Sequence, residues 1–476
     1  MQRCKKGLSL MRDRIPLTAQ PAAPGSPRSR PVLSRRSLLR GAAALGVAGA
    51  ASAGVAGCGN TLAQGFTGGA PAERQLNFWN PFTGGDGARM VAMQDAYAKA
   101  HAATRLKATT FVWGNPYYTK LTLATLGRRP PQVAVAHLSK VPTLAQAGLL
   151  SALDPADLAR NGMPEGNFDP AAWKKAQLDD ELYAIPLDTH PFVLYFRTDI
   201  AKKAGLLDGS GRLADLDGPD KFVDALKAAK EVTGEWGGAV ASIKDASTQY
   251  RLFLSFYSQL TRTPLVTDQG TEVTLDLDAA EEALAYIRRL TIEEKVLPAG
   301  VDSTGAITML TTGKAGFLMD GVWQVIAVQD AKVTFDMRPL PRIFTDAPYA
   351  CFADSHALVL PKAPTAEAQR LDFSLEFVHS MLGSSQLWAE GGHVPAWQPT
   401  LATDAYRKLT PQSRYAEAAA GAVYDPVAWY GGAGSTLQIQ VGDAVTSVFT
   451  GARSPKAGAA NMRSRLRKQA GTPSPI

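Results

Sequence analysis

From about residue 76 onward, short apolar runs alternate with amphipathic stretches, and that alternation limits the chain to layered α/β architectures. Residues 76–79 read as a strand, followed by a Gly84-Gly85 turn and a helix with Met90, Met93 and Tyr97 on one face. Residues 106–113 and 132–137 read as the next strands, with a helix over 117–126 between them that Gly127 and Pro130 end. This βαβ rhythm predicts a lobe with a largely parallel sheet. A second rhythm starts after Tyr183. It has a strong strand at 192–196, a helix opened by Pro219 and carrying Phe222, Leu226 and Ala229, and a helix bearing Leu284, Ile287 and Leu290. Asp278 with Glu281 reads as the capping box of that last helix. Residues 357–360 follow as a strand and 371–382 as a long apolar helix, and Ser454-Pro455 pairs an N-cap with an N1 proline for a final one.

The chain has 476 residues, 45% of them hydrophobic, enough for two or three domains with real cores. Its net charge of +7 suggests nucleic acid until the charges are located. Residues 1–57 hold ten basic residues and one acid, whereas the remainder has 40 basic and 42 acidic residues. No basic stripe interleaved with aromatics runs through that remainder, which excludes a nucleic-acid-binding body.

The basic start has a specific form. Arg35 and Arg36 precede an uncharged Gly/Ala run over 41–57 and then Cys58. A basic region, a weakly apolar core and small residues before a cut make an export signal, too short and too poor in large apolar residues to span a membrane stably. The arginine pair resembles the twin-arginine export signal, and Val55-Ala56-Gly57-Cys58 resembles the lipobox, in which the cysteine thiol is acylated. The expected division is an export signal over 1–57, with Met1 or Met11 as the start, then lipidated Cys58 and a flexible Gly-rich tether over 58–74. Cys4 then leaves with the signal, and Cys351, in an apolar context, is expected to be a buried structural thiol rather than a nucleophile.

Hydrolytic and nucleotide motifs are absent: there is no G-x-S-x-G elbow, no H-E-x-x-H and no Walker loop. The six histidines (His101, His137, His190, His356, His379, His393) show no metal-ligand spacing, so no metal and no cofactor are expected. Asp179-Asp180-Glu181 reads as a solvated loop.

Several segments together carry a resemblance. They are Ala145-Gln146-Ala147-Gly148-Leu149-Leu150, Tyr183-Ala184-Ile185-Pro186-Leu187-Asp188 running into Val193-Leu194-Tyr195-Phe196-Arg197, the Gly313-Lys314-Ala315-Gly316 to Gly321-Val322-Trp323 stretch, and Gly392-His393-Val394-Pro395. In this order they resemble the extracellular solute-binding proteins of bacterial ABC transporters, the sugar-binding family that includes maltose-binding protein. The resemblance implies a two-lobe periplasmic-binding-protein fold (type II), with a ligand cleft between lobes joined by crossing strands. Lobe one is expected over 75–187 plus 336–383, lobe two over 188–335 plus 384–470, and a disordered tail over 471–476. The crossings fall near Leu187-Asp188, over 330–341 and near Gly383.

The resemblance also implies the site. Trp323 falls where the family stacks a tryptophan on its ligand, and Asp188 on its acidic position at the crossover, although a core ring and a hinge cap are the alternatives. Thr83, Gly84 and Asp86 form the loop after the first strand, where Asp86 could instead cap the helix. His137 and Ser139 stand where the family places an acid that this chain lacks. Gln249, Tyr250 and Arg251, and the Trp429-Tyr430 pair, fall at further contact positions. Trp79, Trp113, Trp388 and Trp397 are available for stacking or packing. Sugars expose flat C–H faces to aromatic rings and hydroxyls to carboxylates, amides and Arg, so the set suits a carbohydrate. The expectation is a lipid-anchored monomer, extracytoplasmic, that delivers a carbohydrate to an ABC permease and is not an enzyme. Its rivals are a binding protein for a non-sugar solute and an exported carbohydrate-active enzyme.

Overall fold

The computed structural model describes residues 74–363 and 368–474. Arg35, Arg36, Cys58 and the expected tether up to residue 73 lie outside the described residues. Strand β1 (Arg74–Asn80), helix α1 (Gly85–Ala100), strand β2 (Thr104–Thr110), helix α2 (Asn115–Leu126) and strand β3 (Val133–His137) alternate as the sequence predicts. β1 takes β2 and β3 as parallel neighbours. Leu76 and Phe78, two apart on β1, point with Met90, Met93 and Tyr97 of α1 into one core. The largely parallel sheet that was expected is in fact mixed. The segment His356–Val359, arriving from much later in the chain, lies antiparallel to β3 and brings Ile185–Pro186 to the edge.

Lobe two is built on β4 (Asp188–Arg197). Phe192, Leu194 and Phe196 enter one core, while Val193 and Tyr195 enter another on the opposite face. Cover on both faces accounts for the unbroken apolar run. After α3 (Pro219–Thr233), β5 (Trp236–Ala239), α4 (Ala246–Tyr257) and α5 (Leu277–Arg288), strand β6 (Ala315–Gly321) lies antiparallel to β4 and parallel to β5. Strands β7 (Phe335–Pro339) and β8 (Cys351–Asp354) then add antiparallel to β4. The chain returns to lobe one as β9 (His356–Val359) and α6 (Ala368–Gly383), and ends in lobe two with α7 (Thr436–Phe449) and α8 (Pro455–Ala470).

Two expected boundaries move. Residues 336–352 belong with lobe two, since Leu340, Ile343 and Phe352 sit in its core, so the second crossing lies at Asp354–His356 rather than over 330–341. The third lies past residue 397 rather than near Gly383, because Trp388, Ala396 and Trp397 still pack in lobe one whereas Tyr415 packs in lobe two. Apolar rings decide both positions, and local turn signals do not report them. The cap of α5 also shifts. Asp276 accepts from the amides of Asp278 and Ala279, so the Asp278–Glu281 box is not the cap. Ser454 does cap α8, accepting from Ala457 N. Asp179 and Asp180 have positive φ in the tight turn between Gln177–Leu178 and Glu181–Leu182, consistent with a loop. Gly471 N and Thr472 N still bond to the last turn of α8, so the tail begins in order. Cys351 is buried and free, with burial pushing its thiol up to about 12. Among the described residues no helix is long and apolar enough to cross a membrane.

The two lobes are clasped beside the cleft. Lys140 Nζ donates to Gly431 O at 2.7 Å, Ala433 N donates to Ser139 Oγ at 3.0 Å, and Ser139 Oγ also bonds Asp354.

Lobe two depends on close approach of α7 to α4. A Cβ on Gly442 would stand 1.9 Å from Ala246 O, a backbone atom that cannot give way without moving its helix. Gly442→Ala is therefore expected to destabilise the fold by about 1–3 kcal/mol or more through overpacking, read as a lower urea midpoint at unchanged m-value.

Candidate functional site

A cavity of about 260 Å³ opens between the cores, and both lobes contribute to its wall. Lobe one supplies Phe82, Thr83, Gly84 and Asp86 from the loop and first turn after β1, with Trp113 and His137 from the strand ends beyond. Lobe two supplies Asp245, Ser247 and Arg251 from the start of α4, and Trp323 from the turn after β6. The crossing strands supply His190, Phe352, Asp354 and His356, and His393 completes the floor.

Trp323 is fixed by the residue two before it. A Cβ on Gly321 would fall within 2.0–2.2 Å of three indole carbons, so only glycine lets the ring lie against the backbone there. Over the ring sits the Arg251 guanidinium, 4.8 Å from its centroid, with Phe352 as a second aromatic partner of the same cation at 5.6 Å. His190 meets Trp323 edge-on at 5.8 Å.

Beneath the cavity, Asp188 gathers the polar groups of the crossing strands. It is fully buried. Its Oδ1 accepts from His356 N at 2.8 Å and lies 3.0 Å from His190 Nδ1. Its Oδ2 accepts from Trp388 Nε1 at 2.5 Å and lies 2.7 Å from His356 Nδ1. His393 Nδ1 stands 3.0 Å from the same oxygen, and its Nε2 3.7 Å from Asp86 Oδ2, neither with aligned hydrogen-bond geometry. Burial opposes ionisation of Asp188, but the surrounding histidines outweigh it and hold the carboxyl well below its usual range. The imidazoles divide. Burial holds His190 below its ordinary value and His356 down to about 4, so both are neutral near pH 7. Burial also opposes charge on His393, but Asp188 and Asp86 overcome it and raise its pKa to about 9. His137 is held low by burial, with both nitrogens in use. Its Nδ1 meets Tyr118 OH at 2.7 Å and its Nε2 accepts from Trp113 Nε1 at 3.4 Å.

Of the residues singled out from the sequence, Trp323, Asp86, Thr83, Gly84, His137 and Arg251 reach the cavity. Asp188 does not, because its oxygens are turned onto the histidines and Trp388. Ser139 holds Asp354 and the 431–433 segment instead. On α4, the four-residue spacing sends Ser247 and Arg251 to the cavity and turns Gln249 and Tyr250 to the core. Gln249 there clips Ala241 O at 2.6 Å, and Tyr250 faces Asp425. Trp429 lies on another surface near Gln269, and Tyr430 OH donates to Gly270 O at 2.7 Å, so neither lines this cavity. The absence of metal-ligand spacing among the histidines misled: the fold brings His137, His190, His356 and His393 to one place. The available signal was local. Asp188 and His190 are ionisable residues two apart at the start of a strand that is apolar from Pro191 to Phe196, hence on one face.

The charge on His393 has a consequence for stability. Its folded pKa is raised above the unfolded value of about 6.5, so its contribution is complete below that pH and fades as pH rises through about 9. The melting temperature is expected to fall between these limits more steeply for the native protein than for His393→Gln. Parallel curves would show that His393 carries no such charge.

Residues 92–404 match the family described as bacterial extracellular solute-binding protein. Over 291 residues the chain is 25% identical to the maltooligosaccharide ABC transporter solute-binding lipoprotein of Streptococcus pneumoniae (strain ATCC BAA-255 / R6), with 58% of this chain and 62% of that protein covered. It is 24% identical over 271 residues to the maltodextrin-binding protein MdxE of Bacillus subtilis (strain 168), covering 56% and 60%. The chain therefore spans about 60% of the length of these relatives. Its fold is that of the GacH receptor of Streptomyces glaucescens, solved unliganded and with acarbose (TM-score 0.68, 20% identity, 84% of this chain and 99% of that one). It is also that of the sugar-binding protein MalE from Xanthomonas citri (TM-score 0.69, 16% identity, 83% and 97%). With two lobes around a central cleft and a family match across 92–404, the chain belongs to the bacterial extracellular solute-binding proteins.

Proposed function

We propose that this protein captures a mono- or short oligosaccharide in the cleft and hands it to an ABC permease. The observation that carries the reading is the make-up of the cavity wall. Aromatic faces from both lobes, Trp113 and Trp323, stand beside Asp86, Asp245, Arg251 and Gln438, which can exchange hydrogen bonds with hydroxyls. A solute touching both lobes favours the closed arrangement, because only contacts that exist when the lobes meet can shift that equilibrium. The Arg251 guanidinium lies over the face of Trp323, so a sugar ring stacking on that face would displace it toward the sugar hydroxyls. Micromolar binding corresponds to about −8 kcal/mol, within reach of one or two stacking rings and several hydrogen bonds after association costs. The solute-binding lipoprotein of Streptococcus pneumoniae and MdxE, whose names carry maltooligosaccharide and maltodextrin, support the sugar class.

A second reading is a cationic solute such as a polyamine, favoured by three carboxylates (Asp86, Asp245, Asp354) against two cations, Arg251 and the charged His393, in the wall. Thermal-shift and calorimetric titrations with glucose, maltose, maltotriose and spermidine separate the two. A saccharide is expected to raise the melting temperature, and Trp323→Ala to weaken its binding about tenfold with the fold intact. A shift with spermidine and none with any saccharide would overturn the sugar reading.

The place of work follows from the N-terminal segment. Export through the Arg35-Arg36 signal and acylation at Cys58 would hold the protein, as a monomer, at the outer face of the membrane beside its permease. Cells expressing Cys58→Ala are expected to lose incorporation of labelled palmitate into this protein and to release it from the membrane fraction. Retained label would refute the anchor.

A further inference from the structure

In the cleft floor, one nitrogen of each of His190, His356 and His393 and one oxygen of Asp188 lie within 4.8 Å of one another, and all four residues are buried. We propose that these four side chains bind a transition-metal dication of the zinc class. The inference does not rest on the identity of the solute.

Three imidazoles and one carboxylate are the donor set that suits zinc, nickel or cobalt, whereas magnesium and calcium take oxygen ligands. The spacing is close to what such an ion needs. A tetrahedral centre with bonds of about 2.0–2.1 Å separates its ligands by about 3.3 Å. The Nδ1 atoms of the three rings stand 2.7–3.0 Å from the Asp188 oxygens and the four donors lie within 4.8 Å of one another, so some side chains would move away from Asp188 and others toward one another to surround the ion. Asp188, His190 and His356 lie on strands fixed by register, and His393 sits in the turn just before Val394–Pro395, which pairs with Thr189 and Asp188. Asp354 pairs with His190 across β8 and β4, and His356 pairs with His137 across β9 and β3.

A second observation concerns His393, whose Nδ1 proton the ion would replace and release to solvent. Both ring nitrogens of His393 are buried and lack an aligned hydrogen bond, although Asp188 and Asp86 are near. An ion between His393 Nδ1 and Asp188 would use the first nitrogen and leave Nε2–H for the Asp86 carboxylate. That is the outer carboxylate–histidine arrangement that orients metal-bound imidazoles. The other supports are already in place. Trp388 stacks on His393 at 4.2 Å and donates to Asp188, and the His190 and His356 rings stack at 4.2 Å. The three rings also line the cavity, which gives the ion its entry path.

The test uses the purified protein, stripped with EDTA and dialysed. Titration with zinc chloride is expected to show one site per chain, with a rise in melting temperature that calcium and magnesium do not produce. Cobalt is expected to give visible bands typical of nitrogen ligation. His190→Gln and His393→Gln, checked for retained fold by circular dichroism, should each weaken zinc binding by at least about tenfold. His101→Gln is the control, because His101 sits 2.9 Å from Glu376 near the surface and could bind zinc adventitiously. Absence of binding, or binding lost with His101 and kept without His190 and His393, would overturn the proposal. Saccharide titration of the same stripped sample reports separately on the sugar reading.

Discussion

The fold turns on a buried carboxylate. Asp188 sits where the chain first passes from one lobe to the other, and around it stand nitrogens from three separate segments: its own strand, the returning strand at His356, and the region of Trp388 and His393. A buried charge is costly unless it is paired and fully hydrogen-bonded, and this one has four close nitrogen partners besides His393. Any rearrangement that separated these segments would strand the charge. Any movement of one lobe against the other that keeps this charge paired must leave Asp188 and its partners together.

What the sequence made legible was what is encoded locally. The strand and helix alternation of lobe one, the cap at Ser454 and the loop at Asp179 each depend on a few neighbouring residues, and each is found in the structure. The parallel sheet became mixed because β9 arrives from a distant part of the chain, and its pairing with β3 leaves no local trace. The lobe boundaries moved for the same reason. Whether Phe352 or Trp397 packs in one core or the other depends on which partners surround it after folding.

The candidate site shows the same division more sharply. Trp323 and Arg251 were reached through the family resemblance, and helical spacing alone would have separated Arg251 from Gln249 and Tyr250. Asp188 drew notice as an acid at a crossover, but its place beneath the floor follows from the direction of its side chain, which pattern does not report. His137 was noticed singly, but its meeting with His190 and His356 is a product of strand register between β3, β4, β8 and β9, and His393 joins them from the turn before Val394. Chemistry that is assembled by long-range pairing is silent in a single sequence.

The contact between Trp323 and Gly321 extends beyond packing. An indole laid flat on the main chain has had its rotamers restricted during folding, so an incoming molecule meets a surface already oriented and need not organise it. Arg251 lies over the same ring, so a cation–π contact adds to that restriction. On the proposed reading, a solute stacking at this position would exchange one flat partner for another and would meet a ring whose orientation the main chain has already set.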